Sequence, residues 1–245
     1  MKNIYIATVN YVGPSRLNYT KSQVAKVSQD TLSKNRIIAG GRSKYCTAYN
    51  LLRTQLIQIM LLKGWNTLGV VSAGKGEGKS LTTINLGLSI SREINYTALV
   101  VDFDLANPSI HKYFELEPKY GVSDYINSDI TLDKILINPG LDKFMLLPGR
   151  GEVMNSSESL RSPKITELVK EIKHRYINRL ILYDLPPLLS CDDALAFAPQ
   201  VDAFLFVVHE VKSKKSDLSR VLQMLGRDRI IGTVINYSED GIEAY

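Results

Sequence analysis

Short, almost wholly apolar runs alternate along the chain with stretches whose apolar positions recur every three or four residues. The runs fall at 68–72, 97–102, 143–148, 179–184, 203–208 and 230–236. Unbroken apolarity over so short a span predicts strands buried on both faces. Helices are predicted between them. In 43–63 the residues Tyr45, Ala48, Tyr49, Leu52, Leu56, Ile59 and Met60 form one stripe, and Gly64 follows. Residues 80–92 form a second helix. Pro163 after Ser162 opens another, reaching about Tyr176. Asp192 and Asp193 cap a short helix towards Phe197, and 215–225 make a further one. Strands and helices in this alternation predict an α/β fold with a mainly parallel sheet and helices on both faces. Ligands in such sheets bind beyond the carboxyl ends of the strands.

Residues 1–36 lack a sustained period and contain the breaker Gly13-Pro14-Ser15. They are expected to be a flexible or partly ordered basic arm, with residues 37–245 as the domain. Within the first fifty residues Lys2, Arg16, Lys21, Lys26, Lys34, Arg36, Arg42 and Lys44 face only Asp30. Such an arm is either a solvated leader or a contact for an anionic membrane surface, a nucleic acid or an acidic protein patch. The net charge of +5 is too mild to call for a specific nucleic acid. Two cysteines far apart, Cys46 and Cys191, exclude a disulfide framework and suit a reducing cytoplasm. Cys191 reads as a buried filler. His111, His174 and His209 have no metal-ligand spacing. No apolar run approaches the roughly 18 residues of a membrane span, and the N-terminus lacks the apolar core of a secretory signal.

The chemistry begins after the first predicted strand. Gly74, Lys75, Gly76, Glu77, Gly78, Lys79, Ser80 and Leu81 join that strand to the next helix. A phosphate loop needs glycines so that backbone N–H groups can curl round phosphate oxygens, a lysine for the β and γ phosphates, and a hydroxyl for Mg²⁺. The helix that follows offers its positive end to the anion. Gly76, Gly78, Lys79 and Ser80 meet these demands, so the loop predicts ATP and Mg²⁺ as ligands and the P-loop NTPase form of the α/β fold. Ala73 replaces the first glycine of the usual pattern, with Gly74 beside it. Carboxylates end two other strands. Asp102 and Asp104 follow Val100-Val101, spaced to share one side of the strand, and Asp184 precedes Leu185-Pro186-Pro187. Such groups can hold Mg²⁺ or accept a proton from an attacking hydroxyl.

Three motifs together resemble the bacterial tyrosine kinases of capsule and exopolysaccharide gene clusters over about residues 36–237. They are Gly76-Glu77-Gly78-Lys79-Ser80, Val101-Asp102-Phe103-Asp104-Leu105-Ala106-Asn107-Pro108 and Asp184-Leu185-Pro186-Pro187. The last is similar in wording to the exosortase-linked branch. The resemblance implies that Lys79 and Ser80 bind phosphate and Mg²⁺, that Asp102 is catalytic base or metal partner with Asp104 assisting, and that Asp184 positions Mg²⁺. It further implies that Asn236 contacts the adenine, where the residues alone allow a turn role equally. It implies a membrane co-polymerase or chain-length regulator subunit as activating partner, a homo-oligomer, and a place at the inner face of the cell membrane through that partner.

The departures are specific. The family's leading helix reads EAYRxLR, and here Thr47-Ala48-Tyr49-Asn50-Leu51-Leu52-Arg53 keeps only Arg53 of its charges. The tyrosine-rich tail is reduced to Tyr237 and Tyr245, the C-terminal candidates for autophosphorylation. Tyr5, Tyr11 and Tyr19 of the arm are further candidates. The expected function is an ATP-dependent tyrosine autokinase regulating polysaccharide synthesis and export. The alternative is a nucleotide-switched regulatory ATPase of the same machinery. A partitioning-type ATPase fits less well, because its signature lysine five residues before the loop lysine is Gly74 here. A eukaryotic-type kinase lacks its HRD and DFG motifs.

Overall fold

The structure is a computed structural model that describes residues 23–38, 44–175 and 178–238. Eight strands form one sheet: β1 (Gln23–Val24), β2 (Thr67–Ser72), β3 (Thr97–Asp102), β4 (Ile137–Asn138), β5 (Phe144–Leu147), β6 (Arg179–Asp184), β7 (Ala203–His209) and β8 (Ile230–Asn236). Their spatial order is β1-β4-β5-β3-β6-β2-β7-β8. Every pairing is parallel except β4 with β5. The six predicted strands are all present. β2, β3 and β6 are buried at every position, as unbroken apolar runs require.

The described helices are α1 (Gln29–Lys34), α2 (Lys44–Lys63), α3 (Lys79–Ser91), α4 (Ile110–Tyr113), α5 (Val122–Asn127), α6 (Leu132–Ile135), α7 (Ser156–Leu160), α8 (Pro163–His174), α9 (Asp193–Phe197) and α10 (Lys215–Leu225). Ser162 caps α8 by accepting from the Ile165 N–H, with Pro163 in the first turn. Asp192 stands at the predicted cap of α9 without a side-chain cap bond. Its carboxylate instead accepts from Ser157 and Arg161.

Side chains alternate across the sheet into two cores. Leu99 and Val101 of β3 face one, where Phe103, Tyr183 and Phe197 pack ring to ring. Ala98 and Val100 face the other, under α2 and α3. There Gly87 lets α3 lie against the sheet, since a Cβ would come within 2.7 Å of Val100 Cγ2. This draws the start of α3, and with it Lys79, onto the strand ends.

The expected arm boundary is corrected. Residues from Gln23 onward are part of the fold: β1 pairs with β4, Leu32 of α1 is buried, and Ile37 is buried beside it. Thr31 and Lys34 bond Glu115 at 2.9 and 2.7 Å, and Asn85 Oδ1 accepts from the Ile38 N–H. Tertiary contacts order a segment whose own period is too weak to announce itself. The rest of the predicted arm, 1–22, lies outside the described residues. Leu32→Ala is expected to lower unfolding stability by about 2–4 kcal/mol, the cost of emptying a packed leucine site. A denaturant titration checks this, and a loss within ±0.5 kcal/mol, ordinary for a surface site, would place α1 outside the cooperative unit.

Candidate nucleotide site

The loop between β2 and α3 is held by its own side chains. Ser72 Oγ donates to the Gly74 carbonyl at 2.8 Å. Glu77 Oε2 accepts from the Ala73 and Gly74 N–H groups at 2.9 and 3.2 Å. Gly76 and Gly78 sit at φ +74° and +88°, the left-handed region that glycine tolerates. A Cβ on Gly78 would also fall 1.9 Å from Asn236 Nδ2. Gly78→Ala is therefore expected to weaken ATP binding at least about tenfold through displacement of the loop. A fluorescent-nucleotide titration measures this, and unchanged affinity would contradict the fit.

Lys79 opens α3 and is buried. Its Nζ lies 2.9 Å from Asp104 Oδ2 and 3.3 Å from Asp184 Oδ1. Burial alone would lower its pKa, but Asp184 and Asp104 outweigh burial and hold it above the ordinary lysine value. Asp102 and Asp184 end neighbouring strands in register and are fully buried. Asp102 Oδ2 accepts from the Ser109 and Ile110 N–H groups at 2.8 and 2.9 Å, while its Oδ1 has no hydrogen-bond partner. Asp184 Oδ1 has the Lys79 ammonium at 3.3 Å, and its Oδ2 has no hydrogen-bond partner. Burial, with the like charge of Asp184 beside it, pushes the Asp102 carboxyl up to about 7. Burial raises Asp184 as well, against the pull of Lys79. Three carboxylates thus face one ammonium, and buried anionic oxygens without donors are the mark of a place that takes a cation.

Lys79 and Asp104 line a cleft of about 390 Å³, while Asp102 and Asp184 are fully buried and form no part of its surface. The loop 74–80 forms one wall, with Asp104, Asn107, Ser109, Tyr113, Pro186, Pro187, Cys191 and Tyr237 around it. The expected set therefore converges, with two differences. Asp104 lies beyond the end of β3 and lines the cleft, whereas Asp102 is turned beneath it to hold the first turn of α4. Asn236 is engaged within the protein: its Nδ2 donates to the Glu77 carbonyl at 3.0 Å and its Oδ1 accepts from the Tyr237 N–H at 3.0 Å. The turn role read from the residues is thus present, and the amide braces the phosphate loop. Tyr237, at φ +60°, stacks on His209 at 4.4 Å and 15°. It follows the end of β8, is half-exposed and lines the cleft. Cys191 lines the cleft only half-buried, so it is not the core filler expected. Tyr245, Tyr5, Tyr11 and Tyr19 lie outside the described residues. Sequence reasoning missed Ser109, Tyr113 and Ser213. Ser213 Oγ donates to Glu77 Oε1 at 2.5 Å, and its only signal was a place just past a strand's carboxyl end.

No family model matches the chain. Among curated proteins, the tyrosine-protein kinase YwqD of Bacillus subtilis is 24% identical over 191 residues, covering 77% of this chain and 79% of that protein. A Klebsiella pneumoniae protein described as a tyrosine kinase in the cps region is 31% identical over 171 residues, 69% of this chain but 23% of that protein. The kinase domain of the Escherichia coli tyrosine kinase ETK shares the fold at TM-score 0.74 and 22% identity, covering 91% of each chain. The chain is thus similar in sequence to bacterial tyrosine-protein kinases and shares the fold of a bacterial tyrosine kinase domain. The septum-site protein MinD of Pyrococcus horikoshii, in complex with Mg-ADP, is a more distant neighbour of the same P-loop fold at TM-score 0.58 and 21% identity, covering 71% of this chain and 72% of that one. Among the described residues no helix is long and apolar enough to cross a membrane.

Proposed function

We propose that this chain is a Mg·ATP-dependent protein-tyrosine kinase that phosphorylates itself and regulates the synthesis and export of a capsular or extracellular polysaccharide. The observation that carries the reading is the buried lysine of a phosphate loop, 2.9 Å from Asp104 and 3.3 Å from Asp184, with, on the neighbouring strand end, a buried Asp102 oxygen that has no hydrogen-bond partner. The donor set suits Mg²⁺, which takes one or two carboxylates and completes its shell with phosphate and water. Asp102, Asp184 and Ser80 would hold it, and when bound it supplies positive charge to the phosphates. The chain's own groups supply the rest. The N–H groups of the loop and α3 bind the phosphates, and Lys79 leaves its carboxylates to neutralise the β and γ oxygens. Asp104, which lines the cleft, accepts the proton of a tyrosine hydroxyl as its oxygen bonds to the γ phosphorus. The bond to the bridging oxygen breaks, and ADP leaves. Asp102, with no place on the cleft surface, acts from beneath.

Tyr245 is the acceptor that best suits this reading, because Tyr237 is built into the cleft wall. The relatives' names and the cps-region match support a polysaccharide setting, with a membrane co-polymerase subunit as activator at the inner face of the cell membrane. Purified protein given Mg·ATP should gain phosphotyrosine by immunoblot, and Tyr245→Phe should remove most of it. The second reading is a regulatory ATPase without phosphotransfer, favoured by the placement of Tyr237 in the cleft wall, stacked on His209. ATP turnover without phosphotyrosine, with the membrane partner present, would establish it.

A further inference from the structure

A carboxylate inside a phosphate loop is an electrostatic liability. Glu77 stands two residues before Lys79 and lines the cleft, yet its side chain is turned away and only 5% of the residue is exposed. Three donors hold it there. The Ala73 and Gly74 N–H groups take Oε2, and Ser213 Oγ takes Oε1 at 2.5 Å. Ser213 lies outside the loop, in the segment between β7 and α10. Its own geometry is fixed: Oγ accepts from the His209 N–H at 2.9 Å, and the Ser213 N–H donates to the His209 carbonyl at 3.0 Å. With Oγ accepting from the His209 N–H, the hydroxyl proton points to Glu77. A bond from hydroxyl to carboxylate is short and among the stronger neutral-to-charged pairs.

We propose that Ser213 is a positioning residue of the phosphate loop, acting through Glu77 to keep that carboxylate out of the phosphate pocket. The inference rests on the nucleotide reading above. The loop holds glycines at 74, 76 and 78, so its conformation depends on such external stays. Asn236 supplies one through the Glu77 carbonyl, and Ser213 the other through its carboxylate. Without the Ser213 hydroxyl, Glu77 Oε1 has no donor in its buried place and swings towards solvent in the cleft. There it repels the incoming phosphates. The loss falls on binding of the phosphate chain itself, whatever base is attached, and appears in KM more than in kcat.

The test titrates wild type, Ser213→Ala, Ser213→Thr, Glu77→Gln and the Ser213→Ala/Glu77→Gln double variant with Mg·ATP and, separately, with Mg·tripolyphosphate. Thermal melts confirm that each is folded. Ser213→Ala is expected to weaken both ligands about tenfold, with saturated phosphotransfer falling less than about twofold. Ser213→Thr, which keeps the hydroxyl, should bind within about twofold of wild type. The double variant should bind no more weakly than Glu77→Gln alone, because the two residues act through one contact. Wild-type affinity in Ser213→Ala, no rescue by Ser213→Thr, or additive losses in the double variant would each overturn the proposal. Wild-type protein that binds neither ligand would instead overturn the nucleotide reading, and the proposal with it.

Discussion

Lys79→Met should all but stop phosphotransfer and also destabilise the nucleotide-free protein. Removing the main cation from the transferring phosphoryl group is expected to slow the reaction by roughly 10²–10³-fold. The stability effect follows from the buried cluster. Lys79 is the countercharge of both Asp104 and Asp184, and methionine leaves three buried or nearly buried carboxylates facing one another. Taking one partner from a buried ion pair costs about 3–5 kcal/mol, and protonation of the aspartates recovers part of it. The melting temperature of Lys79→Met should therefore lie well below wild type at pH 8 and approach it on acidification. Calorimetric melts across pH measure both. An inactive variant with wild-type stability at pH 8 would mean that Lys79 is not the cluster's countercharge.

Asp184→Asn should have the opposite effect on stability and the same effect on chemistry. The free site carries more negative charge than Lys79 can balance, so removing one carboxylate relieves strain. The raised Asp102 carboxyl gives the pH sign. Its folded value, about 7, lies above its ordinary 3.8, so the folded state binds the proton more tightly than the unfolded chain. The stability this confers is fully present below the ordinary value and lost as pH rises through about 7. Wild-type protein without nucleotide should thus gain melting temperature as pH falls from about 8 towards 5. Asp202, whose carboxyl is lowered chiefly by its Lys173 bond against the pull of burial, works the other way only in more acidic solution. Asp184→Asn should melt above wild type at pH 8 and flatten this slope, because Asp184 is the like charge that helps raise Asp102. Greater stability with lost activity is the expected exchange at a site built to hold a ligand rather than to hold the fold. A variant that melts below wild type at pH 8 would contradict the excess-charge description.

The parts legible in the sequence were those written in consecutive residues. Strands such as Arg179–Asp184 are apolar throughout because both sheet faces are covered, and the glycine loop must join a strand to a helix to bind phosphate. β1 and β4 are two residues each, too short for any period to register. α1 and the residues after it were hidden because their order comes from Glu115 and Asn85, far along the chain. In the site, Lys79, Asp102, Asp104 and Asp184 could be named from spacing, but which carboxylate faces the cleft could not. That depends on where β3 ends and α4 begins. Asn236 was named through the resemblance as an adenine contact, and its bond to the Glu77 carbonyl carried no signal in the sequence. Ser213 carried no motif, since its role arises from a turn that returns β7 to the side of Glu77.

On the proposed function, Asp102 and Asp184 at the ends of β3 and β6 hold Mg²⁺ against phosphates seated on the Lys79 loop. Calorimetric titration of ATP with and without Mg²⁺, in wild type and Asp184→Asn, tests it most directly. Mg²⁺ should tighten ATP binding at least about tenfold in wild type and by much less in Asp184→Asn. ATP binding that ignores Mg²⁺ in wild type, or an Asp184→Asn variant with full Mg²⁺ coupling, would contradict it.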